Sequence, residues 1–258
     1  MHFYRATLAY KGTRYSGWQV QPTETTVQGE LNRALETIAK SSDVRTIGSG
    51  RTDAGVHAQG QVVRMEIPFS IEPKGLMRGL NSHLPDDIRV LACEISHADF
   101  HPTFGAESKY YSYFFQLHED VDPFLHDMLA TYSFPFDEMR AREAAQCFVG
   151  THDFLNFYTE GTEVSSSVRT VFACDLLKHQ PGTGPVLSQR PFYEIRVHGN
   201  GFLKQMVRLM VGSIWNVARG KIDAELISQS LCDVKKSRIA AVAPPEGLYL
   251  MRVIYPSN

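Results

Sequence analysis

Residues 48 to 65 read GSGRTDAGVHAQGQVVRM. Glycines at 48, 50, 55 and 60 allow positive φ or a close backbone approach, while Arg51, Thr52, Asp53 and His57 supply the polar groups a reactive site uses. Asp53 has no acidic neighbour in the loop with which to share a proton, and a guanidinium such as Arg51 nearby favours the ionised form. It is therefore read as an anion, either a nucleophile or a general base, and is poorly suited to be a general acid. The structural alternative is an Asx-turn, with Asp53 capping its own backbone and Arg51 in a surface ion pair.

Two other segments carry chemistry. No acidic residue lies between Glu194 and Asp223, whereas Arg196, Lys204, Arg208, Arg219 and Lys221 all do. This is either a local anion-binding patch or a solvated face. On a helix from about Phe202 to Arg219, Val207, Met210, Val211, Ile214 and Ala218 form an apolar stripe. Lys204, Arg208, Trp215 and Arg219 fall on the other side, and Lys204 and Arg208, one turn apart, repel unless an anion such as Asp53 faces them. The third segment is the strand Tyr110 to Leu117 after Lys109, whose period sends Tyr111, Tyr113 and Phe115 to one face and Tyr110, Ser112 and Phe114 to the other. Its rings are core packing or a platform for a nucleobase.

Rival chemistries fit poorly. His97 and His101 have the spacing of a helical zinc pair, but Pro102 favours a loop and no H-E-x-x-H pattern is present. Gly48-Ser49-Gly50 leads into no helix, against a dinucleotide fingerprint. A P-loop and a G-x-S-x-G elbow are also missing from the sequence. The residues point to a protein that uses neither metal nor cofactor.

Elements able to position these groups alternate along the chain. A strand is predicted around Tyr4 to Tyr10, then a helix with Thr25 and Gln28 as its capping box and Val27, Leu31, Leu35 and Ile38 at helical spacing. Further strands are predicted over Gln61 to Ile67, Ile88 to Ile95, Val168 to Leu177, Phe192 to His198 and Leu248 to Ile254. Helices are predicted over Lys74 to Asn81, over Glu138 to Val149 with a stop at Gly150, and after Asp223. Adjacent strands favour an α+β architecture with a mostly antiparallel sheet over a doubly wound one. The break His101 to Gly105 divides the chain into two α+β halves, 1–105 with the Asp53 loop and 106–258 with the tyrosine strand and basic helix, and 180–191 is expected to be a surface loop.

The chain of 258 residues is 43% apolar with a net charge of −2, enough for a core and too neutral to attract nucleic acid as a whole. The sequence has no run long enough to span a bilayer and no basic-then-apolar leader at MHFYRATLAY, so a cytoplasmic protein is expected. Cys93, Cys147, Cys174 and Cys232 form no C-x-x-C pair and are expected to be reduced and mostly buried.

GRTDAGVHAQGQVV resembles the signature of the tRNA pseudouridine synthase A family, and the likeness extends over nearly the whole chain. YKGTRYSGWQVQPTETTVQGELNRAL, LPDDIRV, GTHDFLNF, VRTV, FLKQMVRLMVG and EGLYLMRVIYP all resemble family segments in the family's order. The resemblance implies the pseudouridine synthase fold, two α+β halves sharing a mostly antiparallel sheet with the active site in the cleft between them, and a homodimer. It implies conversion of uridine to pseudouridine at positions 38, 39 and 40 of the tRNA anticodon arm, with no cofactor. Asp53 matches the catalytic aspartate, Arg51 the motif arginine, Tyr111 the tyrosine stacked on the target base, Arg208 the arginine paired with the aspartate, and Leu248 the apolar residue under the base. Arg14, Lys109 and Lys204 are then expected to meet phosphates.

His101-Pro102-Thr103-Phe104 stands where the family commonly has His-Ala-Arg-Phe, and Lys109-Tyr110 where two basic residues are frequent. Both departures bear on how RNA is gripped. A binding protein without chemistry on the same scaffold, and a phosphate-ester hydrolase, are the readings from other classes; the second would need a metal or a second carboxylate near Asp53.

Overall fold

The computed structural model describes residues 1–159, 161, 165–184, 188–233 and 237–256. In chain order the elements are β1 (His2–Tyr10), α1 (Val27–Ala39), β2 (Arg45–Gly48), β3 (His57–Ile67), α2 (Pro73–His83), β4 (Ile88–Ile95) and β5 (Ser108–Leu117). They continue with β6 (Ala130–Tyr132), α3 (Glu138–Gln146), β7 (Gly150–Asp153), β8 (Val168–His179), β9 (Phe192–Gly199), α4 (Met206–Ala218), α5 (Ala224–Cys232) and β10 (Leu248–Ile254). Residues 185–187 of the expected 180–191 loop lie outside the described residues.

Two compact units result, Met1–Glu107 with Tyr249–Asn258, and Ser108–Leu248. In the first, β1 pairs antiparallel with β3 and β4, and β2 pairs antiparallel with β3 through Gly48 and Val63. The strand β10, which the sequence placed with residues 106–258, instead pairs parallel with β3, Tyr249 opposite His57 and Leu250 opposite Ala58. Helix α1 begins one residue later than its expected cap: Thr26, not Thr25, accepts from the Gly29 N–H at 3.2 Å. The Gln28 side chain binds the Val20 N–H and Thr46, so it does not complete a capping box. Val27, Leu31, Ala34 and Leu35 turn inward as their spacing requires.

In the second unit β7, β8, β9 and β5 pair antiparallel in that order, and β6 joins β5 in parallel. The α+β, mostly antiparallel class read from the sequence is therefore the class observed. The alternation of β5 is as expected: Tyr113 and Phe115 meet the α4 residue Trp215 edge-on at 5.6 and 5.4 Å. On the other face Tyr110 stacks on His198 at 3.8 Å and Ser112 donates to Glu194 at 2.6 Å.

Several expectations are corrected. Helix α3 stops at Gln146, and Gly150, with φ of +122°, opens a strand and does not cap the helix. Helix α4 starts at Met206, after Gln205 in a left-handed conformation, so Lys204 is not on it. All of α4 from Met206 to Ala218 is buried, and the expected exposed basic face does not exist. Of the basic residues expected there, Arg208 donates to a carbonyl, Arg219 just after the helix donates to Asn216 at 2.6 Å and lies over the Phe134 ring, and Arg196 of β9 binds Glu194. The four cysteines are free, but only Cys174 is buried and Cys232 is exposed. Among the described residues no helix is long and apolar enough to cross a membrane.

Candidate active site

The loop 49–56 leaves β2 at Gly48 and enters β3 at His57. Its first part is tied to β3: the Ser49 N–H donates to the Val62 carbonyl at 2.8 Å, the Ser49 hydroxyl to Gln61 Oε1 at 2.7 Å, and Gln61 Nε2 to the Gly50 carbonyl at 2.8 Å. Its middle is tied to β1 and to the segment after it. The Thr52 hydroxyl shares a buried hydrogen bond with Tyr10 at 2.9 Å, and the Thr52 carbonyl accepts from the Trp18 N–H. A backbone turn follows, with the Val56 N–H donating to the Asp53 carbonyl at 3.1 Å and Gly55 at φ of +79°, where a side chain would be strained. Thr52, Val56 and His57 are buried, while Asp53 between them is half-exposed. A carboxylate is thus presented from a backbone with little freedom, as positioned chemistry requires.

His57 closes the loop. Its Nδ1 accepts from the Gly12 N–H at 3.0 Å and its ring stacks on Tyr249 of β10 at 4.5 Å. That nitrogen must be unprotonated to accept, which fixes the neutral ring with its proton on Nε2. Arg51 is exposed and forms no ion pair among the described residues, so the surface ion pair of the Asx-turn alternative is not found. Arg14 is engaged with Asp87 at 2.8 Å, and Tyr15 donates to the same carboxylate at 2.5 Å. Burial alone would raise the Asp87 carboxyl, yet the bonds from Arg14 and Tyr15 hold it below the usual range. Gln61, Tyr10 and Asp87 escaped attention in the sequence; the one signal was a glutamine among the apolar residues of β3.

In the second unit, Tyr111 is buried on β5 and meets Phe202 edge-on at 5.0 Å. Arg208, also buried, donates from Nε to the Ala243 carbonyl at 2.7 Å, and the Ala243 N–H returns a bond to the Arg208 carbonyl. Tyr113, two residues from Tyr111, donates to the Pro244 carbonyl at 2.8 Å. Residues 243–248 are therefore held by Arg208 on one side and β5 on the other, which places Leu248, 6% exposed, at the end of a fixed segment. Burial, then the Glu246 charge, raises the Tyr113 phenol well above its ordinary value, with Arg208 opposing. Within this unit Arg208 and Tyr113 thus both fasten the segment that leads to Leu248, and Tyr111 lies on the same strand as Tyr113. Lys204 is exposed outside α4.

Lys109 is half-buried, and burial followed by the Arg169 charge pushes its ammonium down to about 8. The native residue then releases its proton near pH 8, whereas the unfolded chain holds it to about 10.4. The penalty of the charged native form is complete below pH 8 and fades as pH rises toward the unfolded value. Lys109→Met is expected to melt above the wild type at pH 7, and the gap should narrow by pH 9.5. A gap independent of pH in thermal melts would contradict this.

The family described as tRNA pseudouridine synthase matches residues 6–105 and 144–256, and the chain belongs to it. A tRNA pseudouridine synthase A of Geobacillus sp. (strain WCH70) is 38% identical over 251 residues, 97% of each chain. A tRNA pseudouridine synthase A 1 of Protochlamydia amoebophila (strain UWE25) is 38% identical over 261 residues, covering 100% of this chain and 98% of the relative. A tRNA pseudouridine synthase A of Listeria welshimeri is 36% identical over 253 residues, 98% of each chain.

Proposed function

We propose that the protein isomerises uridine to pseudouridine at positions 38, 39 or 40 of tRNA, with Asp53 as the nucleophile. Family membership supports the reaction and substrate; the observation that carries the residue assignment is the half-exposed Asp53 on a turn flanked by Thr52 and Val56, both buried and hydrogen-bonded. In the reaction the N1–C1′ bond breaks, the uracil turns, a C5–C1′ bond forms, and the C5 proton is lost as N1 gains one. Substrate and product are isomers, so neither an oxidant nor a second substrate is consumed. An ionised carboxylate suits a centre that becomes electron-poor at C1′.

In this reading Tyr111 stacks on the uracil and Leu248 packs under it, keeping the detached base from escaping, while Arg208 holds Asp53 ionised and oriented. Extracting the nucleotide costs a few kcal/mol, and stacking of about 1–3 kcal/mol per base offsets much of that. Arg51, Lys204 and Lys109 are the candidates for phosphate contact. Arg14 joins them only by exchanging Asp87 for a phosphate. The protein acts as a cytoplasmic homodimer, which light scattering of the purified chain would check by a mass twice that of one copy.

The test is carbodiimide mapping of pseudouridine in an unmodified tRNA transcript, with EDTA present and no cofactor added. Signal confined to positions 38–40 is expected. Binding of the tRNA without any signal would sink the enzyme reading and leave an RNA-binding scaffold.

A further inference from the structure

The turn His101–Gly105 is tightly built for a surface connection. The Gly105 N–H donates to the His101 carbonyl at 2.8 Å, and the N–H groups of Thr103 and Phe104 both point at His101 Nδ1, at 3.2 and 3.3 Å. Tyr255 donates to the Pro102 carbonyl at 2.7 Å, and the Thr103 hydroxyl donates to the Gly48 carbonyl at 3.0 Å. Gly48 is the residue from which the Asp53 loop departs, so the turn is fastened to the start of the candidate catalytic loop.

Its tip is Phe104, 85% exposed, with the His101 ring against it at 4.3 Å. A single exposed apolar side chain is ordinary on a protein surface. This one differs because four side-chain hydrogen bonds to the turn hold its backbone in place, so a partner meeting the ring finds it already positioned and little backbone entropy remains to be lost. Phe124, 90% exposed, donates its N–H to Asp122 within its own turn. The loop that starts at Gly48 also presents Arg51, exposed and without an ion pair among the described residues. An aromatic face and a guanidinium on connected loops match the chemistry of an RNA strand, with a base to stack and a phosphate to pair.

We propose that Phe104 stacks on a base of the substrate RNA beside the target uridine, using the braced turn as a fixed platform next to the Asp53 loop. This rests on the proposed action on tRNA. It also gives Thr103 a role: its hydroxyl anchors the platform through Gly48, in a place where an arginine would contribute charge.

Both native tryptophans, Trp18 and Trp215, are buried, so Phe104→Trp places a single exposed indole at the tip. Its emission is expected to be quenched by unmodified tRNA transcript, with the midpoint found for end-labelled tRNA by anisotropy. Phe104→Ala and Phe104→Leu are expected to weaken tRNA binding about 5- to 150-fold, the range of one lost stack, with melting temperature kept and single-turnover rate at saturating tRNA within a few-fold. Equal affinity for all variants, with no change in the indole emission of Phe104→Trp, would overturn this inference and leave the proposed function standing. Failure of the wild type to bind tRNA would overturn both.

Discussion

Asp53→Asn is expected to lower the single-turnover rate of pseudouridine formation by about 10⁴-fold or more, the scale on which loss of an acting nucleophile is felt, and Asp53→Ala to do the same. Asparagine keeps the shape and the accepting oxygen but not the negative charge, so comparing the two variants separates charge from packing. The loop should keep its form in both, because its bracing runs through the Thr52 hydroxyl and carbonyl, the Gln61 side chain and the main-chain bond from Val56 to residue 53. Circular dichroism and tRNA anisotropy would verify that fold and binding persist. If Asp53→Asn turned over tRNA within tenfold of wild type, the carboxylate would not be the reacting group and the Asp53 loop would have to be reread as an RNA-binding element.

The elements that a local pattern specifies were legible from sequence. The heptad-like spacing of α1, the alternation of β5, and the runs of β4 and β10 appear within a residue or two of where their side chains put them. The Asp53 loop was equally visible, since glycines and unlike polar residues concentrated in a short stretch have few purely structural uses. Strands that depend on a distant partner were not. β2 is four residues long and exists by pairing with β3, and β7, Gly-Thr-His-Asp, has no apolar alternation at all.

Charges misled for the same reason. A run of basic residues without acids reads as a binding face, yet Arg208 lies buried with its Nε bonded to a carbonyl 35 residues away, and outside that run Arg14 is paired with a carboxylate 73 residues away. What a charged side chain meets is decided by tertiary contacts, so the positions of cations were legible but their availability was not. The return of β10 to β3, which carries the ring stacked on His57, belongs to the same class of information.

Gly12→Ala is expected to lower activity by about two orders of magnitude, although Gly12 reacts with nothing. A methyl group there would lie 2.0 Å from the Val56 carbonyl oxygen and 2.5 Å from its carbon. These are backbone atoms of the turn that begins at Asp53, and no side chain can swing aside to relieve the clash. Either the turn moves or the segment carrying residue 12 does, and the second option breaks the bond from the Gly12 N–H to His57. Overpacking of this kind costs about 1–3 kcal/mol of stability, and a displacement of the carboxylate by about 1 Å costs about 10²-fold in rate. The expected result is a folded protein, several degrees less stable, whose single-turnover rate at saturating tRNA falls about 10²-fold. His57 offers an independent pull on the same contact: His57→Asn keeps an acceptor for the Gly12 N–H and loses the ring on Tyr249, whereas His57→Phe keeps the ring and loses the acceptor. If the hydrogen bond to Gly12 positions Asp53, the Asn variant retains more of the rate than the Phe variant, and equal rates would show that the stacking on β10 sets the loop instead.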